Sequence, residues 1–140
     1  MKARFHYDIE KFRLRDSRII KKTIGRIITD AGLRPGSVET IITSDEKVYE
    51  INREFLGHDY YTDIITFNYN EGSTVNGEIY ISADRVRENA LKFNVGHGTE
   101  MRRVIFHGIL HLCGYDDRTE EEKRKMSEME EMYLALSYAE

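Results

Sequence analysis

Cysteine, proline and long apolar runs are all scarce in this chain, and each scarcity narrows what it is. A single cysteine, Cys113, among 140 residues excludes an internal disulfide framework and suits a reducing compartment. Any metal site must then draw on histidine and carboxylate. The one proline, Pro35, stands in Gly32-Leu33-Arg34-Pro35-Gly36, which reads as a helix stop and not as a linker between domains. Apolar runs such as Ile41-Ile42 and Ile64-Ile65 are far too short to span a bilayer, and the N-terminus has no hydrophobic secretory core. A cytoplasmic protein without a membrane partner is expected.

What is present suits one compact domain over residues 1–140. With 40% hydrophobic and 33% charged residues, a chain of this length buries roughly two-thirds of its extended surface and folds without staples. The 25 acidic and 21 basic residues give a net charge of −4, so the overall field does not attract nucleic acid. Distribution matters more than the sum. Between Lys11 and Arg26 the chain carries Lys11, Arg13, Arg15, Arg18, Lys21, Lys22 and Arg26 against Asp16 alone, whereas its last quarter is rich in glutamate.

Periodicity divides the chain into alternating elements. Asp16 is placed to cap a helix over 16–32 with Ile20, Ile24, Ile27 and Ala31 on one stripe. Residues 3–8 and 38–43 read as strands, and 45–55 as a helix with Val48, Ile51 and Phe55 on one side, closed by Gly57. Strands over 64–69 and 77–82 make a hairpin across a Gly/Ser/Asn turn. A helix over 83–94 ends at Gly96. Residues 99–112 form a helix that is apolar nearly all round and therefore central in the core. Thr119-Glu120-Glu121-Glu122 opens the last helix with a capping box, and Met126, Met129, Tyr133 and Leu136 are its expected buried stripe.

His107 and His111 are four residues apart on the apolar helix, so both rings project from one face. Gly114 ends that helix three residues later, and the chain can then fold Asp117 back toward both rings. Two imidazoles and a carboxylate with a fourth tetrahedral position open is the layout of a catalytic zinc site. Gly108 costs about 0.8–1.0 kcal/mol relative to alanine within a helix, which points to a close approach there, by a ligand or by neighbouring structure. The spacing of 107, 111, 114 and 117 is that of the metzincin motif. That motif's general-base glutamate is here Gly108 and its third histidine is Asp117, which argues against peptidase chemistry.

His107-Gly108-Ile109-Leu110-His111-Leu112-Cys113-Gly114-Tyr115-Asp116-Asp117 resembles the H-G-x-L-H-L-x-G-Y-D-H signature of the YbeY family of ribosomal RNA maturation factors. Ile51-Asn52, Thr62-Asp63-Ile64-Ile65-Thr66-Phe67 and Gly77-Glu78-Ile79-Tyr80-Ile81-Ser82 are similar to further segments of that family. The resemblance implies an α+β, zincin-like fold: a small, mostly four-stranded sheet with about five helices and the metal site on a buried central helix. It implies one zinc ion per chain on His107, His111 and Asp117. It also implies a single-strand-directed endoribonuclease acting in ribosomal RNA maturation and ribosome quality control, on ribosomal RNA or a small-subunit precursor. Where the family has an arginine after L-N-x-x-Y, this chain has Leu56. Arg53, His58 and Thr62 are therefore the candidates for contacting substrate, with Arg102, Arg103 and the basic first helix for tracking the RNA backbone and Tyr60 and Tyr61 for stacking. Asp116 is a candidate for orienting a ligand or water from behind the metal. Two rival functions are a ribosome-assembly or RNA-binding factor with a structural metal, and a zincin-type peptidase or amidohydrolase.

Overall fold

The computed structural model describes residues 1–139. Its elements are β1 (Lys2–Tyr7), α1 (Ser17–Asp30), β2 (Arg34–Thr43), α2 (Asp45–Leu56), β3 (Ile64–Asn68), β4 (Thr74–Ser82), α3 (Ala83–Phe93), α4 (His97–Leu112) and α5 (Glu120–Ser137). The fold is α+β, with a four-stranded mixed sheet in the order β1-β2-β4-β3. β1 and β2, and β2 and β4, run parallel, and only β3 runs antiparallel to β4. Among the described residues no helix is long and apolar enough to cross a membrane.

The sheet's two faces are covered unequally. Val38 and Ile42 of β2 and Val75, Ile79 and Ile81 of β4 point into the main core. There they meet Ile20, Ile24, Ile27 and Ile28 of α1 and Ile105, Phe106 and Ile109 of α4, all buried. Each such side chain removed from water stabilises the fold by about 1.5–3 kcal/mol before entropy is counted. On the opposite face α2 covers a small patch, where Val48 and Ile51 pack on Ile65 beside Phe67 and Tyr80. α5 lies across α4 and α1, and Tyr133 of α5 donates its hydroxyl to Asp30 at 2.8 Å.

Several expected details change. Asp16 is left-handed (φ 53°) and its side chain caps nothing, so α1 starts at Ser17 on backbone bonds to the Asp16 carbonyl. Thr23 and Ile28 join its buried stripe, while Ala31 falls just past the helix end. β2 starts four residues early, at Arg34, because a register shift between Pro35 and Val38 absorbs the proline; there Asn76 Oδ1 accepts the Ser37 N–H at 2.8 Å. The left-handed C-cap of α3 is Asn94, and Gly96 instead precedes α4, which starts two residues early. Phe55 and Leu136 are exposed. On α5 the buried stripe is Met126, Glu130, Tyr133 and Ser137, below the expected Thr119–Glu122 capping box.

Candidate metal centre

The site begins with how closely α4 can lie on the sheet. A Cβ on Gly108 would stand 2.8 Å from Ile64 Cδ1 and 3.1 Å from Ile79 Cδ1, and one on Gly77 would stand 2.8 Å from both Leu112 Cδ1 and the Phe67 carbonyl. The close approach at Gly108 is thus helix-on-sheet packing. It sets Ile64 and the loop before it against the helical turn that carries His107 and His111.

Beyond its first turn and Arg102, α4 is apolar except for one polar seam, Glu100, Arg103, His107 and His111, spaced 3, 4 and 4 residues apart and hence on one face. Beyond His111 the helix ends in a Schellman turn. The Tyr115 N–H reaches the Leu110 carbonyl at 3.1 Å and the Gly114 N–H reaches that of His111 at 3.0 Å. Gly114 has φ 100°, open to glycine at little cost. From the β3–β4 loop, Asn70 Nδ2 donates to the Leu112 carbonyl at 2.9 Å and holds the helix end in place. The reversed chain then brings Asp117 over both rings.

His107 Nε2 and His111 Nε2 are 3.1 Å apart, and Asp117 Oδ2 lies 3.4 Å from the first and 3.3 Å from the second. Bond lengths of about 2.0–2.2 Å at tetrahedral angles separate ligand atoms by about 3.3–3.6 Å. Both edges to Asp117 fall in that range and the edge between the two rings is slightly shorter, so the triangle approximates three corners of a metal's tetrahedron, and the group can hold a metal ion. Its side chains are partly exposed, 20%, 26% and 39% in that order, so one side faces solvent. No fourth acid, histidine or cysteine belongs to the group among the described residues. Cys113 caps the same helix, but burial pushes its thiol up to about 11, which keeps it protonated and a poor ligand.

Behind the triangle lies a charge chain that the sequence reading missed. Glu130, only 4% exposed on α5, sits 2.5 Å from His107 Nδ1, and its other oxygen accepts from Arg103 at 2.8 Å. Arg103 also pairs with buried Glu100 through two hydrogen bonds. Burial works against the charge on Glu130, but the hydrogen bonds and charges of His107 and Arg103 prevail and hold its carboxyl below the usual range. Hydrogen bonding to Glu100 leads, with Glu130 adding, in keeping Arg103 protonated against its own burial. A carboxylate on His107 Nδ1 fixes that ring's tautomer and turns Nε2 outward as a lone pair. The signal was available: Glu130 is the one carboxylate on the stripe between Met126 and Tyr133.

Arg102 and Arg103 do not offer themselves to an RNA backbone at this centre. Arg103 is held by two carboxylates, and buried Arg102 donates to the Ser137 carbonyl at 2.8 Å. The Arg53 guanidinium lies 5.5 Å over the Tyr49 ring. His58 stacks on Tyr60, whose hydroxyl meets His58 Nδ1 at 3.0 Å, and Tyr61 stacks on Tyr49. Thr62 donates to the Ile64 carbonyl at 3.4 Å. Among the described residues, no hydrogen bond or ion pair joins Arg53, His58, Thr62 or Asp116 to the triangle. The loop from Gly57 to Asp63, exposed through Tyr61 and half-buried after it, is anchored by buried Asn52, whose Nδ2 donates to the Tyr60 carbonyl at 2.9 Å, and it delivers the chain to Ile64 beside Gly108.

Comparison with known proteins agrees with this construction. The profile of the family described as endoribonuclease YbeY matches residues 5–137. An endoribonuclease YbeY of Parabacteroides distasonis is 49% identical over 105 residues, 75% of this chain and 74% of that one. One from Chlorobaculum tepidum is 46% identical over 119 residues, covering 85% and 87%. The solution structure of TM1509 from Thermotoga maritima superposes with a TM-score of 0.64 at 30% identity, over 97% of this chain and 89% of that one.

Proposed function

The chain belongs to the endoribonuclease YbeY family, and on that premise we propose that it is a metal-dependent endoribonuclease that cuts single-stranded ribosomal RNA during maturation. Residues 1–140 act as one hydrolase domain in the cytoplasm, on ribosomal RNA or a small-subunit precursor, with one zinc ion held by His107, His111 and Asp117. The observation that carries this reading is the three-donor triangle with edges of 3.1, 3.3 and 3.4 Å and one side exposed.

His107, His111 and Asp117 would hold the zinc, which would supply Lewis-acid activation of a water and polarisation of a phosphoryl oxygen. The chain's own residues prepare that chemistry. Glu130 accepts a hydrogen bond from His107 Nδ1–H and aims Nε2 at the open side; Arg103 balances the Glu130 charge; the Gly114 turn delivers Asp117. Hydrolysis adds water to phosphorus and releases one P–O bond, so substrate must lie along the exposed side with its phosphate over the triangle. Arg53, His58 and Thr62, on α2 and the following loop, are the groups assigned to holding it.

A structural metal would take four protein ligands, and the three-donor group with its open side supports the catalytic reading instead. The direct test is cleavage of a labelled single-stranded ribosomal RNA fragment. Wild-type protein is expected to cut it, chelator to abolish cutting, and added zinc to restore it. Asp117→Ala is expected to lose at least 100-fold in rate while keeping its melting temperature without metal. Undiminished cleavage in chelator, or in a folded Asp117→Ala, contradicts the proposal.

A further inference from the structure

Seven arginines and lysines, Arg4, Arg26, Arg85, Arg87, Arg103, Lys123 and Arg124, stand against carboxylates. The basic run before α1 is distinguished by where it gathers its cations. Lys11, Arg13, Arg15 and Arg102 line a cavity of about 490 Å³ between the segment preceding α1, the start of α4 and Tyr138. None of the four is paired with a carboxylate among the described residues, although Asp16 also lies in the lining. Arg13 donates to the Ile9 and Phe12 carbonyls at 2.9 and 2.8 Å, which fixes its loop. Arg102 is 6% exposed and built in place: it donates to Ser137, and its guanidinium lies 4.0 Å over the Tyr138 ring.

The walls add two features that suit a phosphate chain. Gly96 has no side chain to cap α4, and Gly98 and Thr99 of its first turn line the cavity at the positive end of a 16-residue helix, where the one first-turn acid, Glu100, is buried against Arg103. Phe12 and Tyr138 supply aromatic surface beside the cations. Uncompensated cations with aromatic faces is the chemistry by which single-stranded nucleic acid is held without sequence reading.

We propose that this cavity binds the phosphodiester backbone of single-stranded RNA, as an exosite at the opposite end of α4 from the metal centre. The inference rests on the ribonuclease reading for its ligand. At about 1.5 Å per residue, Thr99 and His111 lie about 18 Å apart along the helix axis, so an RNA held in both places spans several nucleotides. Such a site raises affinity for longer RNA and leaves the chemistry at the triangle untouched.

The test is binding, measured with chelator present so that cleavage plays no part. A labelled 20-nucleotide single strand is titrated with wild type and with the charge-neutralised double variant Lys11→Gln/Arg15→Gln. Both side chains are exposed, so the fold is retained; melting temperature checks this, and Lys11→Ala/Arg15→Ala serves if it is not. Expected are about a tenfold weaker Kd near 50 mM salt and a log Kd against log salt slope smaller by about 1.4, two phosphate contacts at about 0.7 each. No measurable binding by wild type, or equal affinity and slope in the folded variant, overturns the exosite. So does displacement of the RNA by polyglutamate of equal charge at equal concentration, which would make the cavity a general anion site. Loss of cleavage in Asp117→Ala with binding intact bears only on the ribonuclease reading, which separates the two.

Discussion

Glu130 shows what one buried side chain contributes to a site it does not line. A carboxylate at 4% exposure is costly unless paired, and its two partners divide its work between stability and ligand geometry. Arg103 meets its charge, while His107 takes from it a fixed tautomer and ring angle. Glu130→Gln keeps the size and removes the charge. It is expected to weaken zinc affinity about 10–100-fold, the range for partners one step behind the ligands, with little change in RNA affinity measured in chelator. Competition with a chromogenic chelator reads this directly, and unchanged affinity would show that Glu130 serves α4–α5 packing alone. Asp117 differs in kind, because as a ligand it would lower the centre's net charge by one unit relative to a third neutral histidine.

Among the elements, α4 decides the architecture, and glycine decides how α4 sits. Gly77 and Gly25 make opposite predictions from the same substitution. Alanine at 77 meets a backbone carbonyl and Leu112 at 2.8 Å, and backbone cannot rotate away, so Gly77→Ala is expected to cost about 1–3 kcal/mol by overpacking and to loosen metal binding as α4 shifts. Alanine at 25, inside α1, meets only Met1 at 3.4 Å. Gly25→Ala is expected to gain up to about 1 kcal/mol from helix propensity. Urea unfolding of the two variants checks both signs, and a neutral Gly77→Ala would mean that α4 does not depend on that close approach. The same crossing explains which local readings succeeded. His107, His111 and the Gly114 turn lie within one element and its cap, so spacing exposed them. Glu130 needed the packing of α5 on α4, which periodicity gives only as a stripe. Asp16 resembled a cap in sequence, but the chain enters α1 with that residue left-handed. Pro35 read as part of a helix stop, with a strand only from residue 38, but the register shift in β2 admits it within the strand.

Across the whole molecule, α4 links two different chemistries: a three-donor centre near its C-terminus, backed by buried Glu130, and a cavity about its start lined by four cations that pair with no carboxylate among the described residues. The net charge of −4 conceals this, because it sums over the whole chain and not over one cavity. Order and type of all nine elements were legible from the 3.6 and 2 residue periods, whereas the pairing order β1-β2-β4-β3 was not, since nonlocal neighbours leave no periodic trace. Legible for the same local reason were the three donors; the cavity was visible only as a basic run whose surroundings the sequence does not give. Whether those three donors hold an ion decides the chemistry of the centre. Elemental analysis of protein purified with zinc and then dialysed measures it. About one equivalent per chain is predicted for wild type, and less than about one-tenth for His107→Ala and His111→Ala of unchanged secondary structure. Full occupancy in both folded variants would contradict it.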